Sequence, residues 1–272
     1  MKEALDTPAK SRPPIDDNVF ASSNHPTQDN LVYTWVTACD VVKQADHQRS
    51  KSSPEAQWCS FVIAPILNLL NHTANDCQLE ILDLSTTSIE PTTLCPFQED
   101  PAISKYLNKR IDFGLGLKIP YEQRLALTNG AYQTSNSHNI TTSINQTSTF
   151  VNYVPMFVSI EVKRKHVSED PMIQLGAWVA ADFRKRLLEG YDMGMPVFAI
   201  EIEEDRWSLY IVYATSSSPD HLVFIGPVPM GDSQSHQGVF KILHVLAGLA
   251  EWANTEYRPW FEREVLQRHR KE

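Results

Sequence analysis

The spacing of hydrophobic positions changes several times along the chain, and the order of those changes predicts an α/β layer arrangement. Trp58, Val62, Ile66, Leu69 and Leu70 recur at helical spacing, predicting an amphipathic helix over 54–71. Ser53 is placed as its N-cap, with Pro54 at the first helical position and Pro65 marking a kink or an end. Residues 79–84 alternate as a strand, as do 110–117, where Ile111, Phe113, Leu115 and Leu117 share the apolar side. Asp112, Gly114 and Gly116 fall on the other side, and glycines there mark a bulge or the close approach of a ligand or backbone. Residues 31–36 with Val41 and Val42 fit a short helix or a strand, and the pattern does not decide.

The stretch from Phe157 to Lys163 reads as a buried strand that carries one acid and one base on the same face. Alternation puts Met156, Val158, Ile160 and Val162 on one face and Phe157, Ser159, Glu161 and Lys163 on the other. Taken alone, it reads as an edge strand with a wet polar face. Asp170 and Pro171 then open a helix running to about 188, with Met172, Leu175, Val179, Phe183 and Leu187 inward and Gln174 in its first turn. Strands at 197–202 and 207–213 form a hairpin, 221–225 adds a further strand, and 236–253 is a second long helix. The result is an αβββαβ core with a mixed sheet flanked by helices and a C-terminal hairpin and helix appended.

Composition narrows the class. The chain has 272 residues, 42% hydrophobic, with a net charge of −9. That size buries a substantial core, and the acidic balance lowers the expectation of tight, nonspecific DNA binding. No run of eighteen apolar residues exists, so no membrane span is expected. Residues 1–30 read as a disordered arm, 31–264 as one domain and 265–272 as a charged tail. The polar insert 118–155 separates two core strands, and its Ser/Thr/Asn-rich part reads as disordered, a lid or a partner surface. Cys39, Cys59, Cys77 and Cys95 form no CxxC pair, which argues for reduced thiols and an intracellular protein, cytoplasmic or nuclear and not secreted. Sequons at Asn71, Asn139 and Asn145 are then chance matches.

Glu161 and Lys163 in an apolar strand are costly unless a metal, a partner or water compensates. Together with Asp112 upstream and Gln174 downstream they resemble the PD-(D/E)XK nuclease signature, and the likeness is most specific to fungal nuclease-like proteins. It spans roughly Trp58 to Trp260, including Arg110-Ile111-Asp112-Phe113, Ile160-Glu161-Val162-Lys163-Arg164, Gln174-Leu175-Gly176-Ala177-Trp178 and Tyr257-Arg258-Pro259-Trp260-Phe261. Ile111 stands where the motif's name has proline. The resemblance implies a restriction-endonuclease-like fold and a divalent cation, Mg²⁺ or Mn²⁺, held by Asp112, Glu161 and the main-chain carbonyl of Val162. It makes Lys163 the group that orients the water and offsets charge, Gln174 the group that hydrogen-bonds the water or positions Lys163, and DNA or RNA the partner.

Glu55 could supply a third carboxylate, although a favourable charge at a helix N-terminus is the simpler reading. Arg164, Lys165, Arg184, Lys185 and Arg186 could meet phosphates. His166 reads as a surface histidine, and Trp178, Trp207 and Trp252 as core. The competing expectations are the nuclease fold redirected to a small molecule of secondary metabolism in a closed pocket, and a catalytically silent interaction module.

Overall fold

The computed structural model describes residues 28–73, 79–96, 110–127, 144–147, 153–164, 170–215 and 221–270. Most of the 1–30 arm, Cys77, Asn139, Lys165, His166 and most of the 118–155 insert lie outside the described residues. Six strands form one mixed sheet in the order β1 to β6: Leu79–Asp83, Phe113–Leu117, Met156–Lys163, Val197–Glu203, Arg206–Ala214 and Leu222–Asp232. Only β3 and β4 run parallel; every other neighbouring pair is antiparallel.

The helices are α1 (Gln28–Ser50), the continuous α2 (Glu55–Trp58, Cys59–Ile63 and Ala64–Thr73), the short α3 (121–127), α4 (Pro171–Leu188) and α5. The last starts as His236–Trp252 and runs on in helical turns to Arg270. On one sheet face α1, α2 and α5 bury Trp58, Ile63, Ile66, Val158, Ile160, Val162 and Leu246 in one core. On the other face α4 buries Leu175, Trp178 and Phe183 with Met156 and Ala199. Both faces are covered, so β3, the centre of the sheet, is buried along its whole length. It is not the wet edge strand that its charges suggested.

The face assignment along β3 also shifts. Leu115 pairs with Val158 but Gly116 with Met156, leaving Phe157 as an extra residue. Phase therefore flips there, and Met156 joins the α4 core while Phe157 sits with Val158, Ile160 and Val162 on the other side. Glycine at position 116 is explained by this bulge, because a Cβ there would lie 2.5 Å from Val154 Cγ1 and 3.0 Å from the Pro155 carbonyl.

The ambiguous 31–36 segment lies within the 23-residue α1. Arg49 at its end bonds Asp205 Oδ2 at 2.6 Å, tying α1 to the β4–β5 turn. The start of α2 differs from expectation: Pro54 occupies the N-cap position and no side chain caps it. Pro65 neither ends nor breaks this helix. The wider turns at Cys59–Ile63 carry the backbone through the place where the proline ring would clash with a preceding carbonyl. Asp170 caps α4 as expected, accepting the Met172 N–H at 2.9 Å.

Two segments expected to be loose are built into the fold. Residues 144–147 of the insert include buried Asn145, Gln146 and Thr147, and Asn145 Nδ2 donates to the Val154 carbonyl at 2.8 Å. The expected tail at 265 instead continues α5, with Val265 and Leu266 buried. Apolar residues within a charged stretch carry that helix onto the core.

Candidate active site

Asp112 ends the approach to β2, one step beyond the Phe113–Ile160 pair, and so stands opposite Glu161 on β3. Its N–H donates to the Ile160 carbonyl at 3.1 Å, and its Oδ2 accepts the Val162 N–H at 2.8 Å. The Asp112 carboxylate thus continues the ladder where the backbone of β2 leaves it. A strand residue projects its N–H and C=O to the same side, so the Val162 carbonyl faces this carboxylate's side too.

Glu161 is 1% exposed. Lys163 Nζ lies 2.5 Å from its Oε1 and 3.5 Å from Oε2 of Glu55. Glu161 Oε2 has no hydrogen-bond partner among the described residues. Burial first, then the Asp112 charge, raises the Glu161 pKa to about 8, against the pull of Lys163. Asp112 is raised to about 6, chiefly by burial and further by Glu55, although the Val162 N–H works the other way. Burial opposes the charge on Lys163, but the Glu161, Glu55 and Asp112 carboxylates outweigh it and hold its pKa above the ordinary lysine range.

The structure brings Glu55 into this group, from the first turn of α2, where the helix-terminus reading alone would have left it outside. It also adds Cys59, for which the sequence alone indicates no more than a reduced thiol. The Cys59 thiol hydrogen-bonds Asp112, and burial together with the Asp112 and Glu55 charges pushes its pKa far up, so it is a neutral donor. The available signal was spacing: Glu55 and Cys59 are four apart, one turn of a helix whose first residues face the sheet.

Gln174 meets the site through the backbone. Its Nε2 donates to the Arg110 carbonyl at 3.1 Å, fixing the chain two residues before Asp112, and its buried Oε1 has no hydrogen-bond partner among the described residues. The basic cluster on α4 is largely committed elsewhere. Lys185 pairs with Glu189 at 2.7 Å, Arg186 with Asp182 at 2.8 Å, and Arg184 donates to the Cys95 carbonyl at 2.6 Å. Lys185 and Arg186 are buried because their stems pack in the core, the Arg186 guanidinium lying 4.8 Å from the Trp260 ring centre. They are not phosphate ligands on an open face.

Among the described residues no three His, Cys, Asp or Glu side chains form a ready-made metal cluster. What stands here is a carboxylate pair with one orphaned oxygen, beside a carbonyl and a lysine. That set fits a hard divalent cation that keeps water in its shell, because such ions take one or two carboxylates rather than a full protein cage.

The PD-(D/E)XK nuclease superfamily model matches residues 5–258. The chain belongs to that superfamily. A PD-(D/E)XK nuclease-like α/β fold accordingly accounts for the mixed six-stranded sheet with helices on both faces. In this superfamily member the position before the aspartate is Ile111, which is buried with Leu175 and Trp178 and serves the α4 core. A comparison with curated proteins finds no match.

Proposed function

We propose that this chain is a divalent-metal-dependent phosphodiester hydrolase acting on DNA or RNA. The observation that carries the reading is the Glu161 carboxylate: fully buried, raised in pKa, paired with Asp112 and Lys163, and left with one oxygen unpartnered. Superfamily membership supports metal-dependent nuclease chemistry at this place.

In this reading Asp112, Glu161 and the Val162 carbonyl hold Mg²⁺ or Mn²⁺. The cation supplies positive charge at the phosphate and an acidified water. Lys163 releases Glu161 and turns its ammonium toward the attacking water and the charge that builds on the phosphate oxygens. Glu55, 3.5 Å from that ammonium, keeps it protonated and limits where it can swing. Gln174 acts as a positioning residue, since its bond to the Arg110 carbonyl sets the backbone that delivers Asp112. Cys59 donates to the same carboxylate and stays neutral while doing so. The reading includes an intracellular setting, supported by the absence of a CxxC pair among the four cysteines, and a fungal origin, supported by the motif likeness.

The test is calorimetric titration of Mg²⁺ and Mn²⁺ into wild type and Asp112→Ala/Glu161→Ala, with cleavage assays on single- and double-stranded DNA and RNA. Metal binding and cleavage, both lost in the double variant, are expected. Absence of binding, with cleavage no greater than the variant's, would sink the reading and turn attention to a small-molecule substrate.

A further inference from the structure

Over residues 31–36 the outward side of α1 is apolar where a surface helix ordinarily carries polar groups, whereas further along the exposed side carries Asp40, Lys43 and Asp46. Its inner side buries Thr34, Ala38, Val41 and Ala45 against α2 and α5. Away from that side Val32 and Val36 stand in solvent, flanked by Leu31, Tyr33 and Trp35 of α1 and by Phe240 of α5, each between 39% and 56% exposed. Trp35 stacks on His236 at 5.1 Å and on Phe240 at 6.1 Å, and Tyr33 lies 4.5 Å from the His72 ring. The patch is therefore continuous from the end of α2 across α1 to the start of α5. From Asn30 to Cys39 the chain has no charged residue.

A helix apolar on both sides is stable when both sides are covered. With aromatic side chains of roughly 150–250 Å² each, six half-exposed residues amount to about 500 Å² of apolar surface. That is at the upper end of what a monomer shows, and more than half of the ~800 Å² each partner gives to a standard interface.

We propose that α1 is a dimerisation helix. Two copies of this chain pack the outward sides of their α1 helices antiparallel across a two-fold axis level with Thr34, placing Val32 on the partner's Val36, Tyr33 beside the partner's Tyr33 and Trp35 beside the partner's Trp35. A second copy suits the patch better than a polyanion does. Nucleic acid or an anionic bilayer would meet Asp29 and Asp40 at the ends of the stripe and no lysine or arginine within it. The second copy presents the same uncharged face in return, and an isologous contact requires nothing more than one self-complementary patch. This inference does not depend on the nuclease reading.

Sedimentation velocity over a concentration series tests it, with wild type, the acidic variant Val32→Glu/Val36→Glu, the basic variant Val32→Lys/Val36→Lys and an equimolar mixture of the two. Wild type is expected at twice the chain mass, each variant alone at the chain mass with unchanged far-ultraviolet circular dichroism, and the mixture again at twice. Hydrogen exchange on wild type needs no variant: protection along α1 should rise with protein concentration. A wild type monomeric at every concentration overturns the proposal. So does a mixture that fails to dimerise, or concentration-dependent protection that spares α1.

Discussion

At the scale of single residues, Lys163 has two tasks that pH separates. It compensates a buried carboxylate and, in the proposed mechanism, it offsets charge on the phosphate. Near pH 6 Glu161, with its pKa raised to about 8, holds a proton and asks little of its neighbour. Above that value the carboxylate is ionised, 1% exposed, and depends on the ammonium 2.5 Å away. Lys163→Met should therefore leave the metal-free protein near wild-type stability at the lower pH. At about pH 9 it should cost about 3 kcal/mol, the usual penalty for stranding one member of a buried ion pair. Thermal and denaturant unfolding at the two pH values read this directly, and an equal cost at both would show that Glu161 is not the group being compensated. Cleavage by the same variant should fall by about a hundredfold or more, since an electrostatic donor in the transition state is typically worth that much.

At the scale of elements, the site exists because β2 hands its ladder to the Asp112 side chain just where β3 bears Glu161. Three pairs further along the same ladder the register shifts at the bulge between Leu115 and Gly116. Gly116→Ala drives a Cβ against Val154 and the Pro155 carbonyl and should cost about 2–3 kcal/mol, within the range for overpacking. Gly176→Ala, in the interior of α4, meets nothing within 4 Å and should stabilise by about 0.5–1 kcal/mol. Denaturant midpoints of the two variants decide it: a neutral Gly116→Ala would mean that the close approach does not hold the bulge. The same bulge marks where sequence reasoning loses the thread. Alternation located β3, and the Asp170-Pro171 cap located α4, because each is written in local residues. Alternation cannot register one extra residue, which flips every later side chain, so Met156 and Phe157 were put on the wrong faces. Nor does it tell a half-buried strand from one covered on both sides, and β3 is covered by helices that come from far upstream and from downstream. Whether 31–36 is helix or strand is obscured for a related reason: apolar side chains on its inner and outer sides together leave no helical period to read. Asp112, Glu161, Lys163 and Gln174 were legible from their residue types and strand context, whereas Cys59 came into view only when α2 was laid beside the sheet.

At the scale of the whole molecule, the fold concentrates Glu55, Asp112 and Glu161 around one lysine, and that concentration sets how stability depends on pH. Burial raises Glu161 from an ordinary 4.5 to about 8 and Asp112 from 3.8 to about 6. Below the ordinary values both groups are protonated in the folded and unfolded chain alike, and the contribution of their raised pKa is fully present. As pH climbs, the unfolded chain ionises first while the folded chain still holds its protons. Folding then takes up protons, and stability falls with rising pH until Glu161 ionises near pH 8, above which it levels off. The loss attached to Glu161 is on the order of a few kcal/mol. A divalent cation competes with those same protons, so it should stabilise strongly where the pair is ionised and weakly where it is not. The expected outcome is a metal-free melting temperature that declines from about pH 5 to about pH 8.5 and a Mg²⁺- or Mn²⁺-induced rise that is largest at the alkaline end. Glu161→Gln should flatten the decline and abolish most of the cation's effect, since an amide neither ionises nor holds a hard ion. Calorimetric melts of wild type and Glu161→Gln across that range carry the test. A decline that survives in the variant places the titration elsewhere, and a cation effect that survives places the metal elsewhere; the two results would separate a merely strained acid pair from a working metal site.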